Sequence, residues 1–409
     1  MRHTKQELKL MQSLPLEAKV RMTKERIKAW YEEWVKYEIY SERTKKTRTI
    51  TRRSISGYDL ETELGCKDGE YVTDVRDGQV YVSFSGGKDS TVLLHIAREL
   101  YPDIEAVFVN TGLEYPEIQR FVKTFDNVTT LRPKMRFDEV IKNYGYPIIG
   151  KKQADAVSLA RRNLKEGKYT VRLRSLGIMP QQAMQMGLSM PGEEMLERYE
   201  RTCSGSKYTS PKYQKLLDAD FDISAYCCDV MKKAPGKEFQ KKSGKKPMLA
   251  TMTGESMVRE AAWLKNGCNA FDAKNPRSAP MSFWTEQDVL QYIKENDISI
   301  ASVYGDVVYS EMPEQTRFEE YGIAGAGRDE LQTTGCDRTG CIFCAFGCHL
   351  EKEPSRFQRL KETHPRQYKY CIGGGEYVDG VWKPNKEGLG MGRVFDELNK
   401  IYGEDFIKY

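Results

Sequence analysis

The stretch Tyr81-Val-Ser-Phe-Ser-Gly-Gly-Lys-Asp-Ser-Thr-Val-Leu-Leu-His95 decides how this chain folds. Gln79 to Phe84 is apolar, β-branched and uncharged, the pattern of a buried strand. Ser85-Gly86-Gly87 permits a tight turn. Asp89 or Ser90 is placed to cap a helix whose apolar face is Val92, Leu93, Ile96 and Leu100. Strand, glycine loop and helix N-terminus together make an anion cradle. Glycines let backbone N–H groups approach oxygen atoms, first-turn amides lack helical partners, and the helix dipole favours negative charge. Lys88 adds a point charge, and Ser83, Ser85 and Ser90 add hydroxyl groups. The spacing is neither that of a Walker A loop nor G-x-G-x-x-G.

From residue 79 onward the pattern alternates β and α. Ile104 to Asn110 is a second strand, Tyr115 to Phe125 a helix, Val128 to Leu131 a third strand and Phe137 to Asn143 another helix. Such alternation predicts an α/β fold with a doubly wound, mostly parallel sheet and ligand at the carboxyl ends of its strands. Thr111 and Gly112 follow the second strand, where a base or ribose is expected. Further on, Pro247 to Thr253 reads as a strand and Glu255 to Lys265 as a helix bearing Arg259. Trp284 to Asn296 reads as an amphipathic helix capped by Thr285.

The flanks differ in character. Residues 5–38 read as helix interrupted near Pro15, with Ile27, Trp30, Tyr31 and Trp34 as an apolar stripe. Residues 41–56 are basic and polar without period, either an arm able to contact nucleic-acid phosphates or a surface hairpin. Three regions result: a helical N-terminal extension with that basic segment (1–78), a nucleotide-binding α/β domain with an insertion at about 165–226 (79–300), and an irregular cysteine-containing C-terminal region (301–409).

The 409 residues suffice for a sizeable core. No apolar run approaches a membrane span. Met1-Arg-His-Thr-Lys-Gln-Glu has no apolar signal region, which points to a reducing, cytoplasmic setting. The net charge of +5 is too small over this length to imply nucleic acid by itself. Ten cysteines in such a setting favour metal or redox chemistry over disulfides. Cys341-Ile-Phe-Cys344 is a two-thiolate hook that needs a second pair. Cys227-Cys228 is one source; Cys336 and Cys348 are the other. All-thiolate sets suit zinc or iron–sulfur.

Ser-Phe-Ser-Gly-Gly-Lys-Asp-Ser at 83–90 resembles the PP-loop of the ATP-pyrophosphatase superfamily. Val109-Asn-Thr-Gly-Leu-Glu-Tyr-Pro116, Cys227-Cys-Asp-Val-Met-Lys-Lys233, Gly254-Glu-Ser-Met-Val-Arg259, Trp284-Thr-Glu-Gln-Asp-Val-Leu-Gln-Tyr-Ile293 and Cys341-x-x-Cys344 extend the likeness. Over about residues 79–372 the chain resembles the phosphoadenosine phosphosulfate (PAPS) reductase family. The resemblance implies an adenine nucleotide, either ATP or a sulfonucleotide (APS or PAPS), at Ser83, Ser85, Gly86, Gly87, Lys88, Asp89, Ser90, Thr111, Gly112 and Arg259. Lys88, Asp89 and Ser90 are the expected catalytic group, and Mg²⁺ is expected with the phosphates. In the assimilatory adenylylsulfate reductases a Cys-Cys pair and a later Cys-x-x-Cys hold a [4Fe-4S] cluster, which implies Cys227, Cys228, Cys341 and Cys344 here, with zinc as the alternative.

Three departures shape the expected activity. The sulfonucleotide reductases have a degenerate loop, whereas the one here is intact and looks like those of ATP users. Their C-terminal nucleophilic cysteine motif is missing; the chain ends Gly403-Glu-Asp-Phe-Ile-Lys-Tyr409, leaving Cys348 and Cys371 as substitutes. Asn110 stands where the family usually has Asp. The expectation is therefore an adenylating sulfurtransferase with an iron–sulfur cluster, with a sulfonucleotide reductase or a nucleotide-dependent regulatory module as alternatives. A protein partner or sulfur donor would accompany the first. Lys152, Lys232 and Lys233 are secondary candidates for anion contacts.

Overall fold

A computed structural model describes the chain at every residue except 1, 52–65, 68, 77, 206–208 and 311–329. The described chain forms two compact units, one from residues 1–110, 114–131 and 236–339, the other from 111–113, 132–235 and 340–409.

The first unit begins with helices Lys5–Gln12 and Leu16–Glu33. Thr4 and Glu7 form a reciprocal capping box on the first, and Pro15 separates the two. A small antiparallel sheet comes next, ordered β2-β1-β3, from β1 (Lys36–Ser41), β2 (Lys46–Thr51) and β3 (Glu70–Arg76). One expectation is corrected here, and of the two readings of the basic segment the hairpin is the one observed. The helix ends at Glu33, because Tyr37 and Ile39 alternate with polar residues at the strand period of two. The basic segment is not a free arm over Lys46–Thr51, which pairs residue for residue with β1; residues 52–56 lie outside the described residues.

The main sheet has the order β6-β5-β4-β8-β10-β9. Its strands are β4 (Val80–Ser83), β5 (Ala106–Val109), β6 (Val128–Leu131), β8 (Lys246–Leu249), β9 (Asn269–Ala270) and β10 (Arg277–Ser278). The two-residue β7 (Ile148–Ile149) belongs to the second unit. All main-sheet pairs are parallel except β9 with β10. Among the five parallel strands the spatial order is third, second, first, fourth, fifth in chain terms. This is the doubly wound order, and its switch point lies beside β4. The mostly parallel α/β expectation is therefore met.

One apolar core fills this unit. Val80, Val82 and Phe84 join Val92, Leu93 and Ile96 of the following helix, Phe108, Met248, Trp284 and Val289. Leu8, Leu16, Ile27 and Trp30 of the N-terminal helices belong to the same cluster, so these helices complete the core. Two of the polar groups buried with them are paired. Trp284 Nε1 donates to Thr23 Oγ1 at 2.9 Å, and Lys19 Nζ meets both Asp288 oxygens at 2.7 and 2.8 Å. Asp288 also accepts from the Thr285 amide at 2.6 Å, which starts the helix Glu286–Glu295 as expected.

The second unit is mainly helical. The helix Phe137–Tyr144 matches the sequence reading closely, and a longer helix spans Lys151–Lys165. The stretch read as an insertion holds helices Val171–Ser175, Pro180–Gln185 and Glu193–Cys203, then a tight 3₁₀ segment, Pro211–Asp218. Arg161 orders the end of that segment and the turn after it by donating to the carbonyls of Leu216, Ala219 and Phe221. The C-terminal part holds helices Arg356–Thr363, Pro365–Ile372 and Met391–Tyr402.

Candidate nucleotide and thiol sites

The glycine loop leaves β4 at the switch point, as its sequence demanded. Gly86 has φ +72°, where side chains are rarely tolerated, and a Cβ there would lie 2.7 Å from Val122 and 2.8 Å from Ile118. Only glycine fits on both grounds. The helix Lys88–Leu100 starts two or three residues earlier than a cap at Asp89 or Ser90 requires, and the N-cap is Gly87 without a side-chain bond. Ser90 instead ties the loop together. Its hydroxyl donates to the Gly87 carbonyl at 2.9 Å, accepts from the Ser85 amide at 3.1 Å and lies 3.0 Å from Ser85 Oγ. Ser83 ends β4, in register with Val107 and Leu249 on its two neighbours.

Lys88 is buried, 4% exposed. Its Nζ lies 3.0 Å from Glu286, 3.4 Å from Asp89 and 3.2 Å from the Asp337 carbonyl, to which it donates. Burial works against its charge, but Asp89 and Glu286 outweigh that and its pKa ends above the ordinary lysine value. Asp89 Oδ1 is buried and accepts no hydrogen bond among the described residues. The Lys88 amide, one of the unpaired first-turn donors, gives its hydrogen to Tyr304 Oη at 3.2 Å. That hydroxyl lies 2.6 Å from Thr339 Oγ1. Glu286, Tyr304, Asp337 and Thr339 were not legible as loop partners. Each is a common residue far from the loop in sequence, and only the fold brings it there.

Arg259 is held by Glu255, which also binds Arg338 at 2.5 Å and accepts from the Met252 amide at 2.9 Å. Burial lowers the Arg259 pKa first and the Arg338 charge lowers it further, while Asp89 opposes both. Arg259, Arg338 and Asp89 therefore share one electrostatic neighbourhood, and Arg338 is a second guanidinium that motif reading did not supply. Thr111 is buried directly after Asn110, with its Oγ1 accepting from the Leu113 amide at 3.2 Å. Gly112 has φ +76° and open space where a Cβ would stand.

The thiols gather within the second unit. Cys227 and Cys228 open a helical run with a wide π turn over Asp229–Lys233, a form that often marks functional positions. The two are coupled, and Cys227 also feels the charges of Cys344 and Cys341. Its hydrogen bond to Cys228, burial and those neighbours all raise its pKa. Cys228 is the thiolate of the pair, lowered to about 5 by the Cys227 hydrogen bond and, against burial, by Lys151 and Lys232. Burial raises Cys344, while the Phe346 amide and Arg356 pull the other way.

A short backbone device brings these groups together. β7 pairs in parallel with the two-residue strand Ala345–Phe346, so Lys151, two residues after β7, and Cys344, just before its partner strand, come from adjacent chain segments. Ile149 takes φ +59° there, a strained region for a β-branched residue. Among the described residues, no three His, Cys, Asp or Glu side chains already converge as a ligand set. Cys348 and Cys371 are 4% and 0% exposed, and burial pushes Cys348 up to about 12 and Cys371 far above the ordinary thiol value.

A doubly wound sheet with a glycine loop at its switch point defines a class of α/β proteins that hold anionic ligands there. The match to a family model is more specific. The phosphoadenosine phosphosulfate reductase domain covers residues 79–159 and 182–346, more than half of the chain, and the chain belongs to that family. Two uncharacterized proteins of Methanocaldococcus jannaschii are similar to it. One is 31% identical over 118 residues, 27% of this chain and 26% of that protein. The other is 40% identical over 74 residues, 17% of this chain and 15% of that protein. The chain thus spans about a quarter or less of the length of these relatives. A crystal structure of a PAPS reductase from Candida auris in complex with phosphate aligns with TM-score 0.29 and 12% identity, covering 57% of this chain and 80% of that one. At that level the likeness carries no argument. No helix among the described residues is long and apolar enough to cross a membrane.

Proposed function

We propose that this chain uses ATP at its glycine loop, transfers the adenylyl group to an oxygen of an acceptor and releases pyrophosphate. The observation that carries this reading is the intact loop: Gly86 in a conformation only glycine adopts freely, followed by a buried Lys88 at the helix start. Gly86, Gly87 and the first-turn amides would hold the β and γ phosphates, with Ser85 and Ser90 fixing the loop. Lys88 would neutralise the charge that grows on the leaving pyrophosphate as the Pα–O bond to it breaks. The acceptor oxygen forms the new bond to Pα, and its proton leaves to solvent. Arg259 is a further phosphate contact in this reading, and Thr111 and Gly112 contact the nucleoside.

Mg²⁺ fits the loop. Asp89 Oδ1, ion-paired with Lys88 Nζ at 3.4 Å but accepting no hydrogen bond among the described residues, is an acceptor-only atom beside the phosphate cradle, and Mg²⁺ typically takes one or two carboxylates plus phosphate oxygens. When bound it would shield phosphate charge. The thiol group fits a soft metal centre by its donor chemistry: four thiols that feel one another, partly removed from water, with Lys151, Lys232 and Arg356 offsetting their charge. Cys227, Cys228, Cys341 and Cys344 would hold a [4Fe-4S] cluster, or zinc. A cluster would supply redox capacity and zinc would not. We infer that the sulfur of a thiolate or sulfide donor then bonds to the activated acceptor atom, and that the adenylated oxygen leaves with AMP.

The family match supports a second reading, a sulfonucleotide reductase that releases sulfite. It requires a reactive thiol outside the metal set, and the burial of Cys348 and Cys371 speaks against both candidates. Incubation with MgATP should yield AMP and pyrophosphate, and no sulfite from APS or PAPS with a thiol reductant. Sulfite release without ATP cleavage would replace the first reading by the second.

A further inference from the structure

The whole-chain charge of +5 hides an uneven division. The second unit holds 30 Lys and Arg against 22 Asp and Glu, a net +8, while the first holds 34 against 37, a net −3. The excess in the second unit arises within residues 132–174, which carry 12 cations and 4 carboxylates. Positive charge gathered into one unit in this way marks a surface for a polyanion.

The fold turns that run of chain into a patch. The helix Lys151–Lys165 buries Ala154, Ala156, Val157 and Ala160, and at 3.6 residues per turn this sets Lys151, Arg162 and Lys165 together on its exposed side. Glu166 approaches Arg162 only to 4.0 Å. At the start of the same helix Cys228 feels both Lys151 and Lys232, and Asp155 feels both Arg172 and Lys233. The helix, the short segment Val171–Ser175 and the π turn therefore bring exposed cations to one place. Asp155 and Asp229 are the carboxylates among them, and Asp229 holds Lys233 at 2.8 Å. Beside these cations stands Tyr226, half exposed, its ring 4.9 Å from that of Tyr144 and tilted by 32°. An aromatic face open to solvent next to a basic surface is a stacking platform, and a base reaches it only when unpaired.

We propose that this face of the second unit binds single-stranded nucleic acid. Arg162, Lys165 and Arg172 contact its phosphates, and Tyr226, braced by Tyr144, stacks a base. The surface does not rest on the nucleotide reading, and it is distinct from the basic hairpin of the first unit.

The test is fluorescence anisotropy with a labelled 15-nucleotide strand of mixed sequence, in RNA and DNA versions, titrated with the full chain over a range of NaCl concentrations. Saturable binding that weakens linearly on a log–log plot against salt is expected. The triple variant Arg162→Gln, Lys165→Gln, Arg172→Gln should bind at least about tenfold more weakly at 0.15 M salt, with a salt slope shallower by about 2. Tyr226→Ala should weaken binding at least about fivefold and leave the slope unchanged, which separates stacking from charge. Unchanged circular dichroism and melting verify that each variant is folded. Preference for one sugar identifies the kind of strand and supports the proposal. No binding of either strand, equal or tighter binding of the duplex, or displacement of the strand by poly-glutamate at matched charge overturns it. So does a loss that follows Arg43→Gln, Lys45→Gln, Lys46→Gln instead, which would move the contact to the hairpin.

Discussion

At the scale of single residues, the account rests on a few positions whose chemistry has no substitute. Gly86→Ala forces a disfavoured φ and a clash with Val122 and Ile118, so thermal or denaturant unfolding should show a loss of about 2–4 kcal/mol. Cys228 carries a pH prediction. Its folded pKa is held below the ordinary thiol value by the Cys227 hydrogen bond and by Lys151 and Lys232, so the thiolate persists to lower pH than that of an ordinary thiol and is lost only below its own pKa. In reduced, metal-free protein its alkylation rate should therefore fall much less from pH 8 to pH 6 than that of an ordinary thiol, which slows about a hundredfold. Lys151→Met should move that fall toward neutral pH. At this scale the sequence was informative where a residue type is irreplaceable, as with Gly86 and Lys88. It was silent on Glu286, Tyr304 and Arg338, whose meaning comes from neighbours more than eighty residues away along the chain.

At the scale of elements, burial decides how each helix end and strand is held. The helix Glu286–Glu295 begins on Asp288, which is shared between its own cap and Lys19. Lys19→Met would strand a buried carboxylate and should cost about 3–5 kcal/mol, read from denaturant titration. The short turn Ser302–Tyr304 places a hydroxyl on the Lys88 amide, a donor that an incoming phosphate needs. Tyr304→Phe keeps the ring and frees that amide, so the pyrophosphate dissociation constant should fall about three- to tenfold by calorimetry. The helix Glu286–Glu295 was legible from its repeating apolar face and its Thr285 cap. The two-residue strands β9 and β10 were not, since they are too short to show a period and exist by pairing with β8 and with each other. Of the two readings open for the basic segment, the hairpin holds over Lys46–Thr51, because the alternation in β1 calls for a partner strand.

At the scale of the molecule, each unit is assembled from distant pieces of chain. The doubly wound class followed from the alternation after residue 79, and the apolar stripe of Ile27 and Trp30 signalled that the N-terminal helices pack onto that domain. Their Ile27 and Trp30 are fully buried in the core that supports the glycine loop. Removal of residues 1–33 should therefore leave a protein without a cooperative unfolding transition rather than a trimmed, active one. The thiol group likewise joins segments more than a hundred residues apart, and cysteine spacing alone could not choose between its two ligand sets.

The central claim is that a nucleotide's polyphosphate is held by the loop after β4. Calorimetric titration of pyrophosphate with Mg²⁺ into the wild type and Lys88→Met, both confirmed folded by circular dichroism, tests it most directly. Saturable 1:1 binding that weakens at least about tenfold in the variant is the predicted result. Equal affinity in the two proteins, or no binding to the wild type, would contradict it.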